Sequence, residues 1–194
     1  VSGVPIEILG LLVSPVHAYV GRPQDGPLPD PEPVARDRVT VRAGLGLVGD
    51  RYFGNPAHVR AAVTVLDADA LDAVAAEIGA GPLDPVRTRR NIVVRGFPVD
   101  SLTTHRGPDR TTVEGAVFSL DSGAGPVRFK AHRPASPCRW MDTELGAGAW
   151  KAMRGRGGVR CEPLDDGELA LGPAVLTVLE HRLEHADPAM ALRA

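Results

Sequence analysis

The stretch at 111–131, TTVEGAVFSLDSGAGPVRFKA, reads as two β-strands, Thr111–Leu120 and Val127–Ala131, joined by the turn DSGAGP. Valine, threonine and phenylalanine suit a pleated, half-buried surface, and Asp, Ser, Gly and Pro supply turn geometry. The same pattern recurs on both sides of this stretch and makes the chain predominantly β. The 22 glycines and 18 prolines in 194 residues favour many turns and short strands over a helical bundle.

Toward the N-terminus, Ile6–Val13 is a continuous apolar run ended by Ser14-Pro15, as in a buried strand. Gly21–Pro33, rich in Pro, Asp and Gly, is an extended surface loop. Arg38–Arg42 alternates polar and apolar, the mark of a half-buried strand. The segment GLGLVGDRYFG at 44–54 makes a tight turn, with Asp50 as a turn or capping residue. Ala62–Leu66 is a strand, and Asp67 caps a helix whose apolar positions Ala70, Leu71, Val74, Ala75 and Ile78 share one face. Gly79 and Gly81 stop that helix, and Ile92–Val94 forms the next strand.

Toward the C-terminus, Gly146–Met153 reads as a short helix and Val159–Glu162 as a strand. Leu164–Gly172 carries the Asp-Gly chemistry of a hairpin, and Ala174–Leu179 is a closing strand. The tail after Leu179 reads as a short helix. No repeat or linker divides the chain, so 1–194 is expected to be a single domain with its core at about 6–179.

A net charge of −2 gives no global reason to expect nucleic acid, so any anion site must come from local clustering. Two cysteines make no disulfide framework, and the absence of C-x-x-C excludes a four-cysteine zinc site. The apolar N-terminus has no basic leader and no 18-residue apolar run, so it reads as a strand rather than a signal peptide or membrane span. The expected location is the cytoplasm, where both thiols stay reduced.

The chemistry concentrates in AHRPASPCRWMDTELGAGAWKAMRGRGG, at 131–158. Cys138 follows Pro137 and is flanked by His132, Arg133 and Arg139. Cations beside a thiol favour thiolate, which is both the nucleophile and the soft metal ligand. The run at 154–158, RGRGG, can bring guanidinium groups and backbone N–H groups to an anion. The plainer readings are a small buried hydrophobe for a lone cysteine and a solvated turn for the Gly-Arg run, which lacks Walker A spacing. A second basic cluster, Arg87, Arg89 and Arg90 with Asn91, leads into the strand at Ile92. His181 and His185 are not in H-E-x-x-H, and His17, His58, His105 and His132 form no spaced cluster. No G-x-S-x-G and no dinucleotide-binding glycine fingerprint is present.

Four pieces stand in one order: GLGLVGDRYFG, TVLDADAL, TRRNIVVRGFPVDSL, and PCRWM followed by MRGRGGVRCEPLDDGELALG. Together, over roughly Ile6–Leu179, they resemble the MOSC family, the C-terminal domain type of molybdenum cofactor sulfurases, in its standalone bacterial form. The resemblance implies a mainly β fold around a barrel like the small barrel domain of pyruvate kinase, with a few short helices. It implies that Cys138 is the functional thiol, either a ligand to molybdenum in the pterin cofactor (molybdopterin) or the carrier of a persulfide. Asp50, Arg90, Asn91, Arg156 and Gly157 match further motif positions and are expected to form the site. Arg89, Arg90, Arg154 and Arg156 would suit the phosphate of the pterin, an assignment inferred from charge. Cys161 reads as structural. Tyr52 stands where many members have histidine, which argues against a histidine-assisted mechanism.

Three functions follow from the resemblance. The first is a molybdenum oxidoreductase that reduces N-hydroxylated small molecules with electrons from separate donor proteins. The second is a sulfur carrier charged by a separate cysteine desulfurase, since the chain binds no pyridoxal phosphate of its own. The third is a cofactor-binding module without turnover. None calls for nucleic acid or membrane.

Overall fold

Short apolar runs broken by Gly and Pro become twelve strands and three short α-helices in the computed structural model, which describes residues 3–180. β1 (Val4–Leu11) is followed by the proline-rich loop, then β2 (Arg38–Arg42) and β3 (Gly46–Leu47). Next come β4 (Val63–Asp67), α1 (Ala68–Glu77) and β5 (Ile92–Arg95). A small ribbon of β6 (His105–Arg106) and β7 (Thr112–Val113) precedes β8 (Val117–Asp121) and β9 (Val127–Pro134). The order ends with α2 (Trp140–Glu144), α3 (Ala149–Ala152), β10 (Val159–Pro163), β11 (Gly167–Ala170) and β12 (Gly172–Glu180).

Seven of these strands close into a barrel in the order β1-β12-β8-β9-β10-β4-β5. Closure leaves no free edge to template aggregation. β4 and β5 are the parallel pair, with α1 in their crossover, because a parallel connection is too long for a tight turn. Inward-facing Ile8, Val65, Val94, Leu120 and Leu176 fill the interior with the stacked rings of Phe118 and Phe129, 5.6 Å apart. Cys161 belongs to this core, fully buried, and burial pushes its thiol far up, so it is a packing residue as expected.

A second apolar cluster sits outside the barrel and carries the chemistry-bearing segment. Asp67 caps α1 by accepting from the Asp69 amide, and Leu71 and Val74 on the buried face of α1 pack with Trp140, Met141, Leu145 and Met153. The α2–α3 unit is thereby docked on the helix of the parallel crossover.

Three expectations are corrected. Thr111–Leu120 is not one strand but two pieces, broken at Glu114–Ala116. There the backbone passes so close to β9 that a Cβ on Gly115 would stand 2.3 Å from the Ala131 carbonyl oxygen. Leu164–Gly172 is not a hairpin. Asp165 binds Arg128 and Asp166 binds Arg42 and the Ala43 amide, so these acids pin β11 alongside β2 instead of closing a turn. The helix expected over Gly146–Met153 shrinks to α3, because Gly146 and Gly148 take φ of 124° and 92°. Of the expected helical tail, Glu180 ends β12, and 181–194, with His181 and His185, lies outside the described residues. Among the described residues no helix is long and apolar enough to cross a membrane.

Gly158 joins this frame to the site. Its φ is +85°, and a Cβ there would stand 2.1 Å from the Val65 carbonyl oxygen. We therefore expect Gly158→Ala to lower the unfolding free energy by about 2 kcal/mol or more, read from urea denaturation. A change of under about 0.5 kcal/mol would contradict this packing.

Candidate functional site

Cys138 is exposed on a short loop whose two ends are tied down. At the near end the Ala135 amide donates to the Gly158 carbonyl at 2.7 Å. At the far end the Met141 amide donates to the Cys138 carbonyl at 3.0 Å, and Trp140 and Met141 are buried against α1. The loop is clamped from below by Arg90. Its Nε donates to the Gly157 carbonyl and its Nη2 to the Ala135 carbonyl, both at 2.8 Å, and its Nη1 to the Thr88 carbonyl at 3.4 Å. Burial, followed by the nearby Arg160, lowers its pKa to about 10, so Arg90 stays charged at neutral pH. Gly157 belongs to the same crossing. A Cβ there would stand 2.2 Å from the Ala135 oxygen, so two backbones touch where no side chain fits.

Asn91 and Asp50 form the layer beneath. Asn91 is buried in the barrel wall. Its side-chain oxygen accepts from the Thr64 amide and hydroxyl, and its Nδ2 donates to the Leu12 carbonyl and, at 3.0 Å, to Asp50 Oδ2. Asp50, also buried, accepts in addition from the Ser14 and Tyr52 amides. These two motif residues fix the 44–54 segment to β4 and β5. Neither lines the cavity described next.

A cavity of about 330 Å3 opens beside Cys138. Arg89 and Arg90 line it, but their donors are engaged with the chain itself. Arg89 has a left-handed backbone, φ 58°, and grips Asp30 of the proline-rich loop with both terminal nitrogens. It also donates to Ser14 Oγ at 2.8 Å, and this grip holds the Asp30 carboxyl below its ordinary range. Two other arginines keep donors in hand. Arg51, its side chain 13% exposed, has buried Nε and Nη1 atoms with no hydrogen-bond partner, and Nη1 is 3.8 Å from Asp50 Oδ2. Arg160, on β10, has no ion-pair partner among the described residues; burial and then Arg133 lower its pKa. Among the described residues no carboxylate lines this cavity.

The wall is completed by the N-terminal segment. Tyr19 stacks on Trp140 at 5.1 Å and donates its hydroxyl to the Arg87 carbonyl. His17 faces the same space, and burial, then Arg51 and Arg89, hold its imidazole below the usual range. Of the anion-binding candidates expected from sequence, Arg154 and Gly157 line a separate cavity, and Arg156 pairs with Glu77 of α1 at 2.8 Å, away from both. Arg51 was legible only as the neighbour of Asp50. Arg160 had the alternation of a strand as its signal, since Cys161 beside it points into the core. His17 and Tyr19 carried none.

Among the described residues no group of three or more His, Cys, Asp or Glu could hold a metal ion. One exposed thiol can serve a metal here only if a bound cofactor brings the rest of the coordination sphere. The four arginines that line the cavity, with no carboxylate of the described residues beside them, fit a group that carries an anion.

If Asn91 is scaffold, Asn91→Ala leaves several buried polar groups unpaired and should lower the unfolding free energy by about 3 kcal/mol or more. Arg156→Gln, which loses an exposed pair, should stay within about 0.5 kcal/mol of the parent. Urea denaturation of both variants checks this. Equal effects would contradict the division into scaffold and surface.

No match is found in a sequence search of curated proteins. Among solved structures, the YuaD protein from Bacillus subtilis aligns over 92% of this chain and 99% of its own, with a TM-score of 0.66 at 14% identity. YiiM from Escherichia coli aligns over 94% of this chain and 73% of its own, with a TM-score of 0.56 at 15% identity. YiiM from Geobacillus stearothermophilus aligns over 90% and 75%, with a TM-score of 0.56 at 14% identity. At these identities the likeness is one of fold. In sequence, the family model of the MOSC domain matches residues 48–176, which include Asp50, Arg51, Arg90, Asn91, Cys138 and Arg160. The chain belongs to the MOSC domain family.

Proposed function

We propose that this chain binds a molybdenum–pterin cofactor in the cavity beside Cys138 and reduces N-hydroxylated small molecules. The observation that carries the reading is a cavity lined by four arginines, Arg51, Arg89, Arg90 and Arg160, and by no carboxylate of the described residues, which an exposed thiol borders. Clustered cations with no carboxylate among them attract an anion. The cofactor's phosphate is such an anion, and Arg160 is placed to share it. The cavity volume falls in the range of small-molecule sites.

When bound, the cofactor supplies the two-electron chemistry that cleaves an N–O bond. Reducing an N-hydroxyl group to an amine consumes two electrons and two protons and releases water, so a separate electron-donor protein serves the site. Cys138 is the protein's ligand to the metal. Arg51 and Arg160 hold the phosphate in place of Arg89 and Arg90, whose task is to fix the loops around it. Tyr19 and Trp140 wall the cavity against water.

A second reading, that of a sulfur carrier, is favoured by the exposure of Cys138, since persulfide transfer needs a thiol that another protein can reach. In that case the thiolate takes a sulfur atom from the persulfide of a separate cysteine desulfurase, whose own thiolate leaves.

Elemental analysis of protein made in a host that synthesises the cofactor separates the two. The first reading predicts near-stoichiometric molybdenum in the parent and little in Cys138→Ser or Arg51→Gln. No molybdenum in the parent would overturn it. One sulfur atom gained by Cys138 after incubation with a desulfurase would then establish the carrier.

A further inference from the structure

A second cavity, of about 300 Å3, shares Ser136 with the first. Its walls are the segment 134–137, Trp150, and the turn that contains Arg154, Gly155 and Gly157. Among the described residues no carboxylate lines it. These walls are stiff, because the crossing of Ala135 and Gly157 and the Arg90 clamp fix two of them to one another.

Trp150 carries an unusual load. The guanidinium of Arg139 lies 4.2 Å from its ring centroid and that of Arg154 lies 4.5 Å from it. The Trp150 backbone amide donates to Asp142 Oδ1 at 2.8 Å. Arg139 and Arg154 are exposed and have no carboxylate partner among the described residues. Arg38, Arg42, Arg95, Arg128 and Arg156 each pair with an acid, whereas Arg22, Arg60, Arg106, Arg110 and Arg133 share the lack of one among the described residues but do not stack on Trp150. The ring face attracts each guanidinium. A guanidinium held against a ring keeps N–H donors at its edge, and phosphate matches the planar guanidinium fork with paired acceptors. The prolines and the indole edge beside the two cations offer apolar surface to the body that bears the phosphate.

We propose that this second cavity is a binding site for a phosphate monoester, with Arg139 and Arg154 on the phosphate and Trp150 and Pro137 against its organic part. It is distinct from the cofactor cavity and does not depend on that reading. Lying against the loop that carries Cys138, it would bring a phosphorylated small molecule next to the thiol.

The test titrates the whole chain with adenosine monophosphate and with inorganic phosphate, by calorimetry and by tryptophan emission. Trp150 lines the site, whereas Trp140 is buried in the helical cluster. Saturable binding of the nucleotide is expected, weakened about tenfold in Arg139→Gln and in Arg154→Gln and unchanged in Arg51→Gln. Tighter binding of the nucleotide than of inorganic phosphate supports an organic ligand, and equal binding overturns that part. Binding lost in Arg51→Gln but kept in Arg139→Gln and Arg154→Gln overturns the second site and leaves the cofactor cavity standing. No saturable binding in the parent overturns the proposal outright.

Discussion

Everything around the thiol depends on the charged hydrogen bonds of Arg90. One planar guanidinium, fixed in the frame, holds two carbonyls from chain segments more than twenty residues apart, Ala135 before the cysteine and Gly157 after it. Hydrogen bonds from a charged donor contribute about 1.5–3 kcal/mol each, roughly twice the neutral kind. A lysine in its place would keep the charge and lose the fork. Because Gly157 has no side chain, the two segments can close to backbone contact, and the clamp holds a loop that has little room to shift.

The clamp belongs to a larger knot tied by consecutive residues. Arg89 reaches forward to Asp30 and Ser14 and so holds the N-terminal segment that brings His17 and Tyr19 to the cavity. Arg90 holds the Cys138 loop. Asn91 reaches down to Thr64, Leu12 and Asp50 and so holds the 44–54 segment that brings in Arg51. The left-handed backbone at Arg89 turns its side chain away from that of its neighbour, at a cost of about 1–2 kcal/mol that its paired bonds to Asp30 offset. Fold and site therefore share one anchor, at the entry to the parallel strand β5.

Much of this frame was legible in the residues. Period-two strands and the Asp67 cap marked a mainly β chain with few helices, and the barrel was expected from the resemblance that the order of the glycine-bearing pieces carries. The misread elements were those in which a long-range contact overrides a local rule. Asp165 and Asp166 leave their turn for arginines from distant strands, and Gly115 bends a strand because β9 passes against it. The site shows the same limit. Residue type marked Arg89 and Arg90 as cations, but the carbonyls and carboxylate that consume them lie up to 73 residues away. Arg51 and Arg160 look no different in sequence, yet they are the arginines in the cavity with donors still in hand. Cys138 and Cys161 were separable because strand alternation turns one inward and a proline-framed loop leaves the other out.

The central claim is that the clamp presents a single thiol to a ligand in the adjoining cavity. It is tested most directly by alkylating the protein with iodoacetamide, before and after the cofactor is removed, and mapping the label by peptide mass spectrometry. The account predicts that Cys138 is protected in cofactor-loaded protein and reacts readily once the cofactor is gone, while Cys161 stays unlabelled in both. Equal labelling of Cys138 in the two states would contradict it.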